Sequence, residues 1–240
     1  MNIHRLSNPY SLAWTAQEAI DEWMGQRSNP LICVASGSSP EALYQRWVDA
    51  YRNGEQRYQK WNYVGLDEWW GLGKDDAGSC ADFLLEKVFS PLQLNTDQYT
   101  YFNGKATDPN EECARIEQYV KAKGGIHLAV LGLGMNGHIG LNEPGSTITD
   151  RTRTTALSQT TIDVAQKYFT IPTMLSTGIT LGIANLLEAE HLVILVQGKH
   201  KAPIVKEWLT GAFNENLPAS LLMHHENLHV FLDQEAASLI

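Results

Sequence analysis

The run Leu131-Gly132-Leu133-Gly134-Met135-Asn136-Gly137-His138-Ile139-Gly140-Leu141-Asn142-Glu143-Pro144-Gly145 sets a histidine and a carboxylate on a turn rich in glycine. Imidazole titrates near neutral pH and a nearby carboxylate can fix its tautomer, so His138 and Glu143 are suited to moving a proton. The bland alternative is a glycine-rich connection with an exposed histidine, and the rest of the chain has to decide between the two. The same run also satisfies the dinucleotide fingerprint, as Gly132-x-Gly134-x-x-Gly137. That fingerprint needs a helix opening at the glycines and an acid ~20 residues further on. Gly140, Pro144 and Gly145 punctuate the helix, and Asp150 comes too early, so a nicotinamide cofactor is rejected and no other cofactor is expected.

Three more segments carry chemistry. Ala35-Ser36-Gly37-Ser38-Ser39-Pro40 joins an apolar run to a helical pattern. Small residues there keep the backbone open, and the helix start offers unpaired amides, so Ser36, Gly37, Ser38 and Ser39 form a candidate phosphate cradle. The alternative is an ordinary N-cap by Ser38 or Ser39. Val64-Gly65-Leu66-Asp67-Glu68-Trp69-Trp70 brings two acids out of an apolar run under tryptophan shielding, which raises a carboxylate's pKa and makes it a better base. Asp67 as a simple helix cap is the competing reading. Gln197-Gly198-Lys199-His200-Lys201 ends a further apolar run with a cation able to reach a phosphate, or with nothing more than a solvated helix start. A cradle, an acid, an acid–histidine pair and a cation at four strand ends converge on a small phosphorylated metabolite handled by proton transfer.

The elements that must hold these ends alternate along the chain. Helical spacing covers 12–24, 40–51, 80–89, 110–123, 160–169, 180–189 and 201–209. Strand patterns cover 31–35, 61–66, 126–133, 191–197 and 228–232, with 153–157 extended. Gly124-Gly125 stands where the helix over 110–123 should close. Such alternation predicts an α/β fold, Rossmann-like, with a mainly parallel sheet flanked by helices and residues 1–240 forming one domain. Ligands in these folds sit beyond the carboxyl ends of the strands.

Composition narrows the class further. With 240 residues, 43% hydrophobic and 19% charged, the chain is an ordinary globular one, and a net charge of −9 argues against nucleic acid or an anionic membrane as partner. Any phosphate must therefore be held by local amides and a few lysines. Cys33, Cys80 and Cys113 are too few and too scattered for a disulfide framework or a zinc site, and no metal is expected. Residues 1–10 are polar with no secretion signal, and no apolar run approaches the ~18 residues of a membrane span, so the expectation is a cytoplasmic protein.

Leu66-Asp67-Glu68-Trp69, Gly132-Leu133-Gly134-x-Asn136-Gly137-His138-Ile139 and Asn142-Glu143-Pro144 together resemble the amino-sugar-phosphate isomerase/deaminase family, over about Leu31 to Leu232. The related 6-phosphogluconolactonases share the fold and the Gly-His turn but lack the Asn-Glu-Pro ending. The resemblance implies that His138 opens the sugar ring, that Glu143 orients it, and that Asp67 moves the proton between C2 and C1. It further implies a phosphate loop at Ser36 to Ser39 and a phosphate lysine at Lys201. Two positions depart from the family pattern. Asn136 stands where the deaminases usually carry an aspartate, and Lys167 stands where an arginine helps to hold the phosphate. An asparagine could hold the imidazole by a hydrogen bond without adding charge, and a lysine keeps the charge but loses the bidentate fork.

The expected activity is conversion of a hexosamine 6-phosphate to a ketose 6-phosphate and ammonia, with galactosamine 6-phosphate ahead of glucosamine 6-phosphate because of Asn136 and Trp69. A sugar-phosphate lactonase and a sugar-phosphate-binding regulator without turnover are the other readings. The chain stops soon after its last apolar run, without the C-terminal extension of the family's allosteric hexameric members. A monomer or a small homo-oligomer is expected.

Overall fold

The computed structural model describes residues 1–240. Its strands are β1 (Asn2–Leu6), β2 (Leu31–Val34), β3 (Asn62–Gly65), β4 (Asp67–Trp69), β5 (Tyr99–Thr100), β6 (Leu128–Gly132), β7 (Arg153–Ala156), β8 (Thr177–Thr180), β9 (His191–Val196) and β10 (Leu228–Asp233). The α-helices are α1 (Pro9–Met24), α2 (Ser38–Arg52), α3 (Arg57–Lys60), α4 (Cys80–Leu84), α5 (Pro109–Ala122), α6 (Gln159–Ala165), α7 (Ile183–Leu187), α8 (Ala202–Thr210) and α9 (Pro218–Leu221). Their starts follow local chemistry. Asn8 caps α1 by accepting the Ser11 amide at 2.9 Å, and Asp108 caps α5 by accepting the Asn110 amide at 2.7 Å, each with proline next in the chain.

Seven strands form one parallel sheet in the order β1-β10-β9-β6-β2-β3-β5. Successive side chains of a strand point to opposite faces, and here both faces are covered. Cys33, Ala129, Leu131, Ile194 and Leu232 face the layer that holds Ile116 of α5, Ile183 of α7 and Trp208 of α8. Ile32, Val34, Val130, Leu195 and Phe231 face the layer of α1 and α2, where Ile20, Tyr44 and Trp47 are fully buried. Cys33 is thus a core residue, as its apolar surroundings indicate, and all three cysteines are free. No helix is long and apolar enough to cross a membrane.

Between β2 and β6 the chain changes direction. From β2 it proceeds to β3 and β5 on one side, and from β6 to β9 and β10 on the other. A crevice opens at the carboxyl ends of that pair. The glycine fingerprint after β6 leads to turns, and no helix begins until α6.

Two expectations need correction, and one strand lies outside the apolar patterns of the sequence. Thr180 belongs to a strand, because Thr177–Thr180 is held between β4 and β7 in a small antiparallel sheet, and the helix begins only at Ile183. The apolar run after Trp61 is split at Leu66, with Asp67 and Glu68 entering that second sheet. The polar N-terminus is a strand at the edge of the main sheet, paired with β10.

His4, His191 and His229 gather on β1, β9 and β10 under Trp23 of α1, with Trp23 centroids 4.7 Å from His191 and 4.3 Å from His229. Burial lowers the pKa of all three, that of His229 to about 4. The fold therefore keeps these rings neutral, while the unfolded chain protonates them below about pH 6.5. Their contribution to stability is complete above that value and is lost as pH falls below it, for His229 as pH passes about 4. We expect His229→Phe to lose less thermal stability than the parent between pH 7 and pH 4. An identical fall in Tm for both proteins would refute this assignment.

Candidate functional site

The crevice contains a cavity of about 460 Å³, within the range of small-molecule sites. Ser36, Gly37, Ser38, Ser39, Asp67, His138, Lys167 and Lys201 all line it. Asn136 and Glu143, also singled out in the sequence, stand behind His138 and do not reach the cavity wall.

One end is built for an anion. Gly37 has φ of 113°, a backbone conformation that L side chains rarely adopt, and α2 starts from it without any side-chain cap. Ser38 and Ser39 therefore do not serve as N-caps, and the first amides of α2 remain available with the positive end of its dipole. Lys201 hydrogen-bonds the Leu133 carbonyl, and its pKa is lowered to about 8 by burial and by the neighbouring Lys167. Two cations that repel each other beside free amides are arranged for a multiply charged anion. Lys167 lies 4.8 Å from the Tyr168 ring centroid, and Tyr168 covers Gly37.

Asp67 stands elsewhere on the wall, only 8% exposed. Burial raises its pKa to about 7, against a hydrogen bond from the Cys80 thiol. A carboxylate titrating there can take and return a proton at neutral pH. Asp67 caps no helix: α4 is capped by Ser79, which accepts the Asp82 amide at 3.0 Å, and it is Glu68 that reaches the first turn. The Glu68 carboxylate accepts the amides of Trp69, Cys80 and Ala81 at 2.8 to 2.9 Å, tying β4 to the start of α4 and fixing Asp67 between them. Burial raises Glu68 to about 7 against those three donors.

The third group is His138. Its ring packs on Gly134, where an added Cβ would lie 2.4 Å from three ring atoms, so only glycine fits. Burial lowers its pKa to about 4, Glu143 acting in the opposite sense and Lys201 in the same one. Neither neighbour assigned to the ring by sequence makes a hydrogen bond to it, although Glu143 stands within ion-pair distance. Glu143 Oε2 lies 3.8 Å from Nδ1, beyond a hydrogen bond, and the Asn136 amide turns away to donate to Glu143 Oε2 at 2.8 Å and to Ser158 Oγ at 2.9 Å. The ring's partner is Thr161, whose Oγ1 is 3.0 Å from Nδ1. Thr161 and Ser158 carry no motif signal, and their role depends on where α6 packs. Asn142 is wholly buried and structural, donating to the carbonyls of Ile139 and Leu181. No group of three or more His, Cys, Asp or Glu side chains is placed to hold a metal ion.

With this geometry, comparison with known proteins is decisive. The model of the family of glucosamine-6-phosphate isomerases and 6-phosphogluconolactonases matches residues 10–231, and the chain belongs to that family. The glucosamine-6-phosphate deaminase of Colwellia psychrerythraea is 35% identical over 99% of this chain and 90% of its own length. That of Bacillus pumilus is 32% identical over the whole of both chains. A structure described as a monomeric glucosamine-6-phosphate deaminase superimposes over 100% of both chains with a TM-score of 0.95 at 30% identity. The 6-phosphogluconolactonase of Thermotoga maritima shares the fold, with a TM-score of 0.77 at 18% identity over 97% of this chain and 98% of its own.

The anion end can be tested with inorganic phosphate alone. Lys201→Ala should weaken its binding, measured by calorimetry, by roughly tenfold or more, since a charge-assisted hydrogen bond contributes about 1.5–3 kcal/mol. Unchanged affinity would place the anion elsewhere.

Proposed function

We propose that the protein is an isomerase-deaminase that converts a hexosamine 6-phosphate to a ketose 6-phosphate and ammonia. The observation that carries this reading is a buried carboxylate titrating near neutrality that shares one cavity with an anion cradle. The phosphate is assigned to the amides of Ser38 and Ser39 with Lys201 and Lys167, and this anchor directs C2 toward Asp67. His138 lies at the anomeric end, where the ring opens. Asp67 removes the C2 proton of the open aldehyde while a proton of the substrate's ammonium passes to O1, giving an enolamine, and Asp67 then returns its proton to C1 to leave an iminium at C2. That iminium reacts with water to form the ketone and release ammonia. Each step balances without a cofactor.

Several observations support the finer points. The relatives at 32–35% identity are named glucosamine-6-phosphate deaminases, whereas the likeness to lactonases extends to the fold alone. Of the two residues that favoured galactosamine, Asn136 does not line the cavity and so cannot read the C4 hydroxyl by contact; Trp69 does line it. We therefore take glucosamine 6-phosphate as the substrate. All the groups used come from one chain, and the matching structure at a TM-score of 0.95 is of a monomeric deaminase, which supports action as a monomer.

Ammonia release measured on both epimers should be faster with glucosamine 6-phosphate. A reversed ratio would overturn the choice of substrate, and no release from either would overturn the reaction. Asp67 must be ionised to accept a proton, so kcat/KM should fall tenfold per pH unit below about 7. Asp67→Asn should abolish turnover and leave phosphate binding intact. Turnover retained by that variant would assign the base to another residue.

A further inference from the structure

Ser158 and Thr161 place two hydroxyls behind His138, and their partners leave one arrangement of protons. Asn136 Oδ1 accepts the His138 backbone N–H at 3.2 Å. That orients the amide, because the opposite orientation would set Oδ1 against the Glu143 carboxylate and Nδ2 against an N–H. Both Nδ2 hydrogens are then engaged, one on Glu143 and one on Ser158 Oγ. Ser158 Oγ also accepts the Thr161 backbone N–H at 3.2 Å, as the cap of α6. With both lone pairs occupied, its own proton goes to Thr161 Oγ1, 3.1 Å away. Thr161 Oγ1 has one remaining partner, His138 Nδ1 at 3.0 Å, and donates to it. A proton on Nδ1 would leave the Thr161 hydroxyl hydrogen without an acceptor in a residue only 3% exposed, which is costly.

We infer that the chain Asn136–Ser158–Thr161 fixes His138 as the tautomer with its proton on Nε2, so that the ring meets its ligand as a neutral hydrogen-bond donor. The identity of that ligand rests on the proposed function; the tautomer does not. Nε2 makes no hydrogen bond inside the protein, is not among its buried unpartnered atoms, and belongs to a ring that lines the cavity. The depressed pKa of His138, about 4, keeps the ring neutral throughout the physiological range. A neutral N–H aimed at a substrate oxygen stabilises charge that develops there and needs no imidazolium. Thr161 and Ser158 are positioning residues, and the polarity of their chain is set by the two groups that can only donate to Ser158 Oγ, the Asn136 amide nitrogen and the Thr161 backbone N–H.

The test is the ¹⁵N NMR spectrum of histidine-labelled protein at pH 7 without substrate, with His138 assigned by its disappearance in His138→Gln. The parent should show a protonated Nε2 and an unprotonated, hydrogen-bonded Nδ1. Thr161→Ser should keep that pattern, and Thr161→Val should release it to a mixture of tautomers. Asn136→Asp supplies an acceptor for the Ser158 hydroxyl, so the chain should reverse and the proton move to Nδ1. Activity supplies a second readout: Thr161→Val should lower kcat by roughly tenfold or more at unchanged KM, the size of one lost hydrogen bond to the ring, and Thr161→Ser should restore it. A parent protein carrying its proton on Nδ1 would overturn the inference, as would parent-like shifts in both Thr161→Val and Asn136→Asp. Failure to release ammonia would instead count against the proposed reaction and leave the tautomer standing.

Discussion

The constraint on which the rest depends is the parting of the chain between β2 and β6. Two neighbouring parallel strands send their connections to opposite sides of the sheet, and the space above their carboxyl ends stays open. Three of the four chemically loaded segments begin at the ends of β2, β6 and β9, which are consecutive neighbours in the sheet. Asp67 arrives from the far side of β2, on the short strand that follows β3 and is tied back by Glu68. The sheet thereby positions an anion cradle, a carboxylate and an imidazole around one cavity without any of them depending on a long loop.

Burial then acts on each group in the same sense, toward neutrality. It raises Asp67 to about 7, lowers Lys201 to about 8 and lowers His138 to about 4. The protein carries a net charge of −9, so no general positive field draws an anion to the crevice. Local construction supplies what the global charge does not, through the uncapped start of α2 and two lysines set close enough to repel. An incoming dianion relieves that repulsion. The opposite shifts of Asp67 and His138 separate a group poised to exchange protons from one held as a neutral donor, and acid and base roles can be divided by environment in this way.

Much of this was legible in the sequence. The central strands stand out because strands buried on both faces read as continuous apolar runs, as in Leu31–Val34 and His191–Val196. Glycine marked the loops that approach a ligand, and Gly37 and Gly134 are required there by a positive φ and by ring contact. What escaped was decided by tertiary structure. Asn2–Leu6 is half exposed at a sheet edge and lacks an apolar run, and Thr177–Thr180 is a strand only because β4 and β7 flank it. The hydrogen-bond partner of His138 was hidden for the same reason, although Glu143 does stand beside the ring as a charged neighbour. Glu143 and Asn136 are close in sequence, whereas Thr161 is brought to Nδ1 by the packing of α6. No spacing rule connects residues 138 and 161.

The central claim is that one sugar phosphate spans this cavity with its phosphate on α2 and its C2 carbon at Asp67. The most direct measurement is a crystal structure with an open-chain hexosaminitol 6-phosphate, which binds but cannot isomerise. The account predicts the phosphate between the Ser38 and Ser39 amides and the Lys201 ammonium. It also predicts C2 about 3–3.5 Å from the Asp67 carboxylate, the range of a near-attack geometry, and a C1-end oxygen on His138 Nε2. A ligand bound in the reverse sense, or with C2 turned away from Asp67, would contradict it.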